Sequence, residues 1–440
     1  MSSSAAGEAV VIGASVAGIL AAKALTGSFR SVSLVDRDVL PAKPVVRRGS
    51  PQARHSHLLL VRGRLAMEEL FPGLTDDLVA RGGLLVDKHG QSFVVAEGAR
   101  LLPAPSDLRV VAVSRPVLET YLRERVAALP GVRIVERCEA IGLVATADNA
   151  TVTGVRVKDI DGVDQRVLPA DLVVDASGRS NRSMAWLSDL GYDPPVEDEV
   201  RAGVVYATRE YRRTADDGDL ALMMIAATPS SPKGAGCIAA EGDRWVCTLF
   251  GMREHAPPEG NDGFEAFAAT LASPAVHDML RRSEPLGDVV RMRLPASTRR
   301  RYERLRRFPD GYVAIGDAVC NLNATYGQGM TVAALEALAL RACLRRGRDG
   351  LARRYFRAVA RIVDVPWQLS TAGDLRFPWV EGERTAMAGV LGRYVARLHV
   401  AARGDAYLTY RFLRVVNMVS HPGRLFGPDV VVRVLRSRRT

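Results

Sequence analysis

The stretch from Glu8 to Asp36 constrains the fold of this chain more than any other. Glu8-Ala9-Val10-Val11-Ile12 is a short apolar run of the kind that forms a buried strand. Gly13-Ala14-Ser15-Val16-Ala17-Gly18 follows, then a helical run from Ile19 to Leu25, then a second strand, Ser31 to Val35, closed by Asp36. Strand, Gly-rich turn, helix, strand and acid in this order read as a dinucleotide-binding βαβ unit. Gly13 permits the tight turn, and Gly18 lets the helix lie close to the strand. The helix start at Val16 and Ala17 offers free N–H groups and a positive dipole end to a pyrophosphate. Ser15 stands where the pattern has its middle glycine; it is small enough to let a phosphate approach, and its hydroxyl is able to contact it. Asp36 lies 23 residues after Gly13, near the spacing at which an acid accepts bonds from a ribose 2′-OH. Its neighbour Arg37 suits a 2′-phosphate instead. The competing reading of the segment is a tight strand–helix junction with nothing bound.

Two later segments repeat the theme. Tyr312 to Ile315 form a short apolar strand that runs into Gly316-Asp317-Ala318. Gly327-Gln328-Gly329-Met330 then leads into an Ala- and Leu-rich helix from Thr331 to Arg345. Asp317 can accept bonds from a sugar or ribityl hydroxyl. The two glycines expose backbone N–H groups at a helix start, which stabilises negative charge such as reduced flavin carries at its N1–C2=O edge. Leu172-Val173-Val174 form another strand, followed by the polar turn Asp175-Ala176-Ser177-Gly178-Arg179-Ser180.

With these three motifs in order, the chain resembles the class A FAD-dependent monooxygenases, the superfamily with the para-hydroxybenzoate hydroxylase fold. Within it the chain looks most like the squalene-epoxidase-like branch that includes bacterial polyether epoxidases. Gly203 to Arg209, Asp364-Val365-Pro366-Trp367-Gln368-Leu369 and Gly373-Asp374-Leu375 carry that finer likeness, together with Pro51-Gln52-Ala53-Arg54-His55. Through the resemblance, Arg54 is a contact near the isoalloxazine and ribityl chain. Arg115, in Ser114-Arg115-Pro116-Val117-Leu118, approaches the flavin in the same way. For both, the alternative is a surface salt bridge. Relatives carry Pro after the Asn of the N-P-x-Y-G-x-G-M segment; this chain has Asn323-Ala324, which frees a backbone angle there.

The resemblance implies an α/β fold: a Rossmann-like FAD-binding domain interleaved with a β-sheet substrate domain, plus a helical C-terminal region. The FAD domain takes residues 1–75, 105–190 and 300–350, the substrate domain 76–104 and 191–299, and the helical region 351–440. Residues 201–212, 219–228, 234–241 and 244–252 alternate as strands and form the pocket floor. The Met223-Met224 pair is assigned to the core.

The activity implied is insertion of one oxygen atom from O2 through a flavin C4a-hydroperoxide, with electrons from NADPH or NADH, directly or through a separate flavin reductase. The substrate implied is an apolar polyketide or terpenoid, epoxidised at an alkene in natural-product or antibiotic biosynthesis. Hydroxylation of an aromatic polyketide or phenol is the alternative. The flavin is the reactive centre, and no side-chain base stands out. Halogenation is set aside because no tryptophan sits in a W-x-W-x-I-P segment and no lysine is convincingly placed. A saturating reductase and a non-catalytic lipid-binding flavoprotein are the remaining readings.

Composition narrows the field. The chain has 440 residues and a net charge of +11, but only five of its 60 basic residues are Lys. Arg replaces Lys throughout, which reads as genomic base composition rather than a nucleic-acid surface. Arg299-Arg300-Arg301 with Arg304, Arg306 and Arg307, and the tail from Arg433 to Arg439, are assigned to solvated faces, with an anionic partner such as a carrier protein as the alternative. Five cysteines without a C-x-x-C pair argue against a disulfide framework or a zinc site, and His55 and His57 lack a third ligand. No run of 18 apolar residues is free of charge, and Glu8 and Lys23 flank or interrupt the first apolar stretch, so a cytoplasmic enzyme with neither membrane span nor signal peptide is expected.

Overall fold

A computed structural model describes residues 7–162, 164–180, 182–384 and 386–437. Arg438 and Arg439 of the basic tail lie outside the described residues. Five parallel strands form the first sheet, in the order Tyr312–Ala314, Leu172–Asp175, Glu8–Ile12, Ser31–Val35, Val132–Val135. The three inner strands are almost wholly buried, as a parallel sheet covered on both faces requires. Helix Val16–Leu25 lies on one face with helix Gly329–Leu344 packed against it, and an antiparallel sheet of Cys138–Ala145, Val152–Asp159 and Gln165–Pro169 covers the other.

Helix Val16–Leu25 is apolar nearly all round, so it is buried between strand and helix rather than amphipathic at a surface. Leu20 is 0% exposed. Leu20→Ala is expected to cost about 2–5 kcal/mol, read as a lower urea midpoint with an unchanged m-value.

A second sheet runs Val290–Leu294, Val204–Arg212, Arg244–Met252, Lys233–Ala240, Leu222–Ile225, Ser92–Ala96, Ala99–Arg100. It is antiparallel except where Leu222–Ile225 meets Ser92–Ala96. The alternating stretches read from the sequence fall on four of these strands. Helices Leu351–Asp374, Ala386–Ala401, Ala406–Val416 and Pro428–Arg436 make up the C-terminal region. Among the described residues no helix is long and apolar enough to cross a membrane.

The arginine run at 299–301 is not a solvated face. Arg299 is 2% and Arg300 5% exposed, and each is held by a carboxylate: Arg299 by Asp364 at 2.7 Å and Arg300 by Glu197 at 2.9 Å. Arg301 pairs with Asp198 at 2.6 Å. Pairing of Glu197–Val200 with Ser297–Arg300 carries these charges inward, a tertiary effect that the local charge pattern does not encode.

Candidate active site

A single cavity of about 760 Å³ is lined by all three Gly-bearing motifs and by the second sheet. It opens at the carboxyl ends of the parallel strands, where ligands of open α/β sheets bind. Gly13, Ser15, Val16, Ala17, Asp36, Arg37, Arg115, Asp317, Gly327, Gln328, Gly329 and Met330 all line it. Gly18 sits one turn behind the lining. A Cβ there would stand 1.7 Å from the Gly13 carbonyl oxygen, so only glycine lets this helix start meet the turn.

The first intrahelical bond of Val16–Leu25 runs from Ile19 N–H to the Ser15 carbonyl, which leaves the preceding N–H groups for a ligand. Helix Gly329–Leu344 repeats this at the other motif: its first such bond is Val332 N–H to Gln328 O. Two helix N-termini thus line one cavity. Asp317 is partly exposed and its carboxylate receives no hydrogen bond from the described residues. Burial raises its pKa, against the opposing pull of Arg179, Arg115 and Arg300. These are the features an FAD molecule needs: N–H groups for its phosphates, an open carboxylate for a hydroxyl, and a dipole end for the ring.

Two site residues have other work. Asp36 accepts bonds from Ala14 N–H at 2.7 Å, Asp38 N–H at 2.9 Å and the Arg47 guanidinium at 3.3 Å. Its lone pairs are taken up in fixing the turn, so a ribose hydroxyl would have to displace Arg47. Ser15 Oγ donates to Glu119 at 3.1 Å and accepts from Arg115 at 3.0 Å, which corrects the picture of a hydroxyl free for phosphate. Arg115 also bonds Glu119 at 3.2 Å, and Arg47 reaches the same carboxylate at 2.9 Å. Burial pushes Glu119 up, but Arg115 and Arg47 outweigh it and hold the carboxyl below its ordinary value. Arg47 and Glu119 were not singled out in the sequence. The four-residue spacing of Arg115 and Glu119 was the available signal.

Arg54 is placed elsewhere. The short turn Pro51–Arg54 leaves it exposed on a second cavity of about 310 Å³, while His55 and His57 line both cavities. Burial lowers His55 to about 4 and His57 to about 3, so both rings are neutral at pH 7. His55 Nδ1 bonds Thr208 Oγ1 at 2.7 Å.

Much of the remaining wall is apolar: Met224, Ile238, Phe250 and Leu294 from the sheet, Val395 and Phe412 from the C-terminal helices. Met223 and Met224 line the cavity, which corrects their assignment to the core alone. Alternation explains this for Met224, whose strand position shares a sheet face with Gly236 and Thr248. Lys88 lines the cavity too, and burial lowers its pKa to about 8. It follows strand Leu84–Asp87, which nothing local marks as a site.

No protein-family profile matches the chain. Protein Rv3254 of Mycobacterium tuberculosis is 36% identical over 382 residues, which is 84% of this chain and 80% of that protein. Among solved structures, the flavin-dependent brominase Bmp2 superposes with a TM-score of 0.70 at 15% identity, over 98% of this chain and 99% of its own. A flavoprotein/dehydrogenase from Cytophaga hutchinsonii gives 0.70 at 16%, over 97% and 96%. PqsL of Pseudomonas aeruginosa, a probable FAD-dependent monooxygenase, gives 0.61 at 18%, over 84% and 98%. At these identities the likeness is one of fold: this chain has the fold shared by flavin-dependent halogenases and FAD-dependent monooxygenases.

Proposed function

From the premise that this chain belongs to the family of Protein Rv3254 and has the flavin-dependent monooxygenase and halogenase fold, we propose that it is an FAD-dependent monooxygenase of an apolar polyketide or terpenoid. One observation carries the reading: two helix N-termini and an open carboxylate share a cavity with an apolar sheet face. The first helix start, at Gly13 to Gly18, would hold the pyrophosphate. Arg37 and Arg115 would add positive charge to that end. Asp317 would take a ribityl hydroxyl, and Gly327 to Met330 would meet the ring. FAD, when bound and reduced by NADPH, NADH or a separate reductase, supplies the activation of O2.

The chain's own residues do the rest. Met224, Ile238, Phe250 and Leu294 bury the substrate and keep water from the reacting atoms. The Gly329 helix start would favour negative charge on a flavin ring held there. An apolar wall of this kind supports epoxidation of an alkene, as in the squalene-epoxidase-like branch; hydroxylation of a phenolic ring is the alternative within the same reading.

A second reading is halogenation, supported by Lys88 in the cavity and by the fold shared with the brominase. One experiment separates them. The reduced FAD-loaded enzyme is mixed with isotopically labelled O2 and a polyene or a phenolic polyketide, with and without bromide, and the products are weighed by mass spectrometry. One labelled oxygen atom in the organic product is the expected result. Bromine in the product would move the assignment to a halogenase, and an unlabelled, unbrominated product would end both.

A further inference from the structure

Asp374 closes helix Leu351–Asp374 and is 1% exposed, yet it lines the main cavity. Its Oδ1 accepts from Asn323 Nδ2 at 2.8 Å and from the Tyr326 hydroxyl at 3.1 Å. The amide orientation of Asn323 is fixed, because its Oδ1 accepts from Thr325 N–H at 3.0 Å and from the Tyr206 hydroxyl at 2.7 Å. Oδ2 of Asp374 is buried and has no partner among the described residues. Gly373 makes room for this arrangement: a Cβ there would stand 2.1 Å from the Tyr326 hydroxyl oxygen.

Stability does not explain the carboxyl. It is buried, it sits at the negative end of a helix dipole, and one oxygen is left without a partner; each of these costs free energy. Ionised, Oδ2 lacks a donor; protonated, it lacks an acceptor. Oδ2 is sealed from solvent in this structure, so a molecule in the cavity supplies either once the carboxyl turns toward it. We propose that Asp374 is the acid–base residue of this cavity and that the molecule oxygenated presents to it an acidic hydroxyl, phenolic or enolic. The proposal rests on the monooxygenase reading and selects hydroxylation within it.

The step balances as follows. The substrate O–H breaks, the proton goes to Oδ2, and the electron pair stays on the substrate oxygen and enriches the ring carbon that takes the oxygen atom. The dienone so formed tautomerises: Asp374 returns its proton to the carbonyl oxygen, and the carbon gives up its own. That last proton balances the one taken up as the second oxygen atom of O2 leaves as water, with two electrons from the nicotinamide cofactor.

The surroundings suit the role. Burial pushes Asp374 up to about 7, against the hydrogen bonds from Asn323 and Tyr326. A base is most effective when its pKa lies near the working pH. The tyrosines and His399 titrate well away from that range, while Lys88, on the same cavity, is lowered by burial to about 8. Burial raises the Tyr206 and Tyr326 hydroxyls far above neutrality. Burial lowers His399 to about 4, and Arg376 is held by Glu97 at 2.7 Å.

The test uses the full FAD-loaded chain with 4-nitrophenol as the probe. At pH 7.5, where most of the Asp374 carboxyl is ionised, wild type is expected to bind the probe as phenolate, seen by its absorbance, and Asp374→Asn to bind it neutral. Asp374→Glu is expected to restore part of the phenolate signal. By infrared difference, a carboxylic C=O band is expected to titrate near neutral pH and to be missing from D374N. Oxygenation of a phenolic polyketide is expected to rise with pH through that range in wild type and to be about 100-fold slower and flat in D374N. D374N is also expected to be more heat-stable than wild type at pH 8, because the raised carboxyl loses stability as pH rises; a structural role predicts the reverse. Probe left neutral or unbound, no band titrating above pH 5, or equal oxygenation by D374N overturns the proposal while leaving a monooxygenase. Wild type that inserts no oxygen overturns the monooxygenase reading, and the infrared titration still reports on the carboxyl.

Discussion

Gly18→Ala is expected to strip the chain of FAD. The added Cβ would stand 1.7 Å from the Gly13 carbonyl oxygen and 2.9 Å from its carbon. Both atoms are backbone, so no side chain can rotate away. Gly13 holds φ at +99°, and its N–H is tied to the Val35 carbonyl at 2.7 Å, so the turn cannot yield either. The helix must move instead. It is packed against the parallel sheet and helix Gly329–Leu344, and moving it spoils both helix starts that face the cavity. A loss of at least about 100-fold in FAD affinity, or ~2.7 kcal/mol, is expected, read as the flavin-to-protein absorbance ratio after gel filtration. Gly404→Ala is the control, since a Cβ there meets nothing within 4 Å. Flavin retained by G18A at the wild-type ratio would sink the assignment of this turn to the cofactor.

What the sequence revealed and what it hid follow one division. The Gly13–Gly18 turn, the Gly316-Asp317 pair and the Gly327–Met330 helix start are local: turn, strand and helix lie within a few residues of one another, and each was legible. The partners were not. Asp36 stood at the right spacing for a ribose, but Arg47, eleven residues on in a stretch with no periodicity, saturates it. Arg54 was visible as a motif residue, yet the turn that exposes it sends His55 and His57 to the cavity wall in its place. Asp374 is visible in the sequence only as part of Gly373-Asp374-Leu375, because burial and a missing partner are properties of packing. Lys88 lay in a segment read only as part of the substrate domain. The arginines at 299–301 show the same limit from the other side: a run of like charge looks exposed until a distant strand supplies its counter-ions.

Arg47→Ala tests the most costly of these hidden partners. The Arg47 side chain is 7% exposed and touches three carboxylates, Asp36 at 3.3 Å, Asp38 at 3.0 Å and Glu119 at 2.9 Å, all of them 10% exposed or less. Removing it leaves three buried acids with Arg115 as the nearest counter-charge. Breaking a buried ion pair from one side costs about 3–5 kcal/mol, because the remaining charge is neither hydrated nor neutralised. The exposed pair Arg30–Glu8, 71% and 41% exposed at 3.3 Å, is the comparison, with Arg30→Ala expected near 0–1 kcal/mol. Urea midpoints at pH 7 give both values. The pH dependence is a sharper check. Glu119 has a folded pKa below its ordinary 4.5, so its stabilising contribution is present above that value and is lost as pH falls through the lower folded one. In R47A the same carboxyl loses one of the two arginines holding it down, and burial, the largest influence on it, pushes it up. Protonation then relieves the variant, and the gap between wild type and R47A is expected to narrow as pH falls from 7 toward 4. Arg47→Lys keeps the charge but not the planar fork that spans three acids, and is expected to recover only part of the loss. A gap that stays constant with pH would mean that Arg47 acts through packing rather than charge, and the network around Ser15 and Asp36 would then not be what holds the Gly13–Gly18 turn at the cavity.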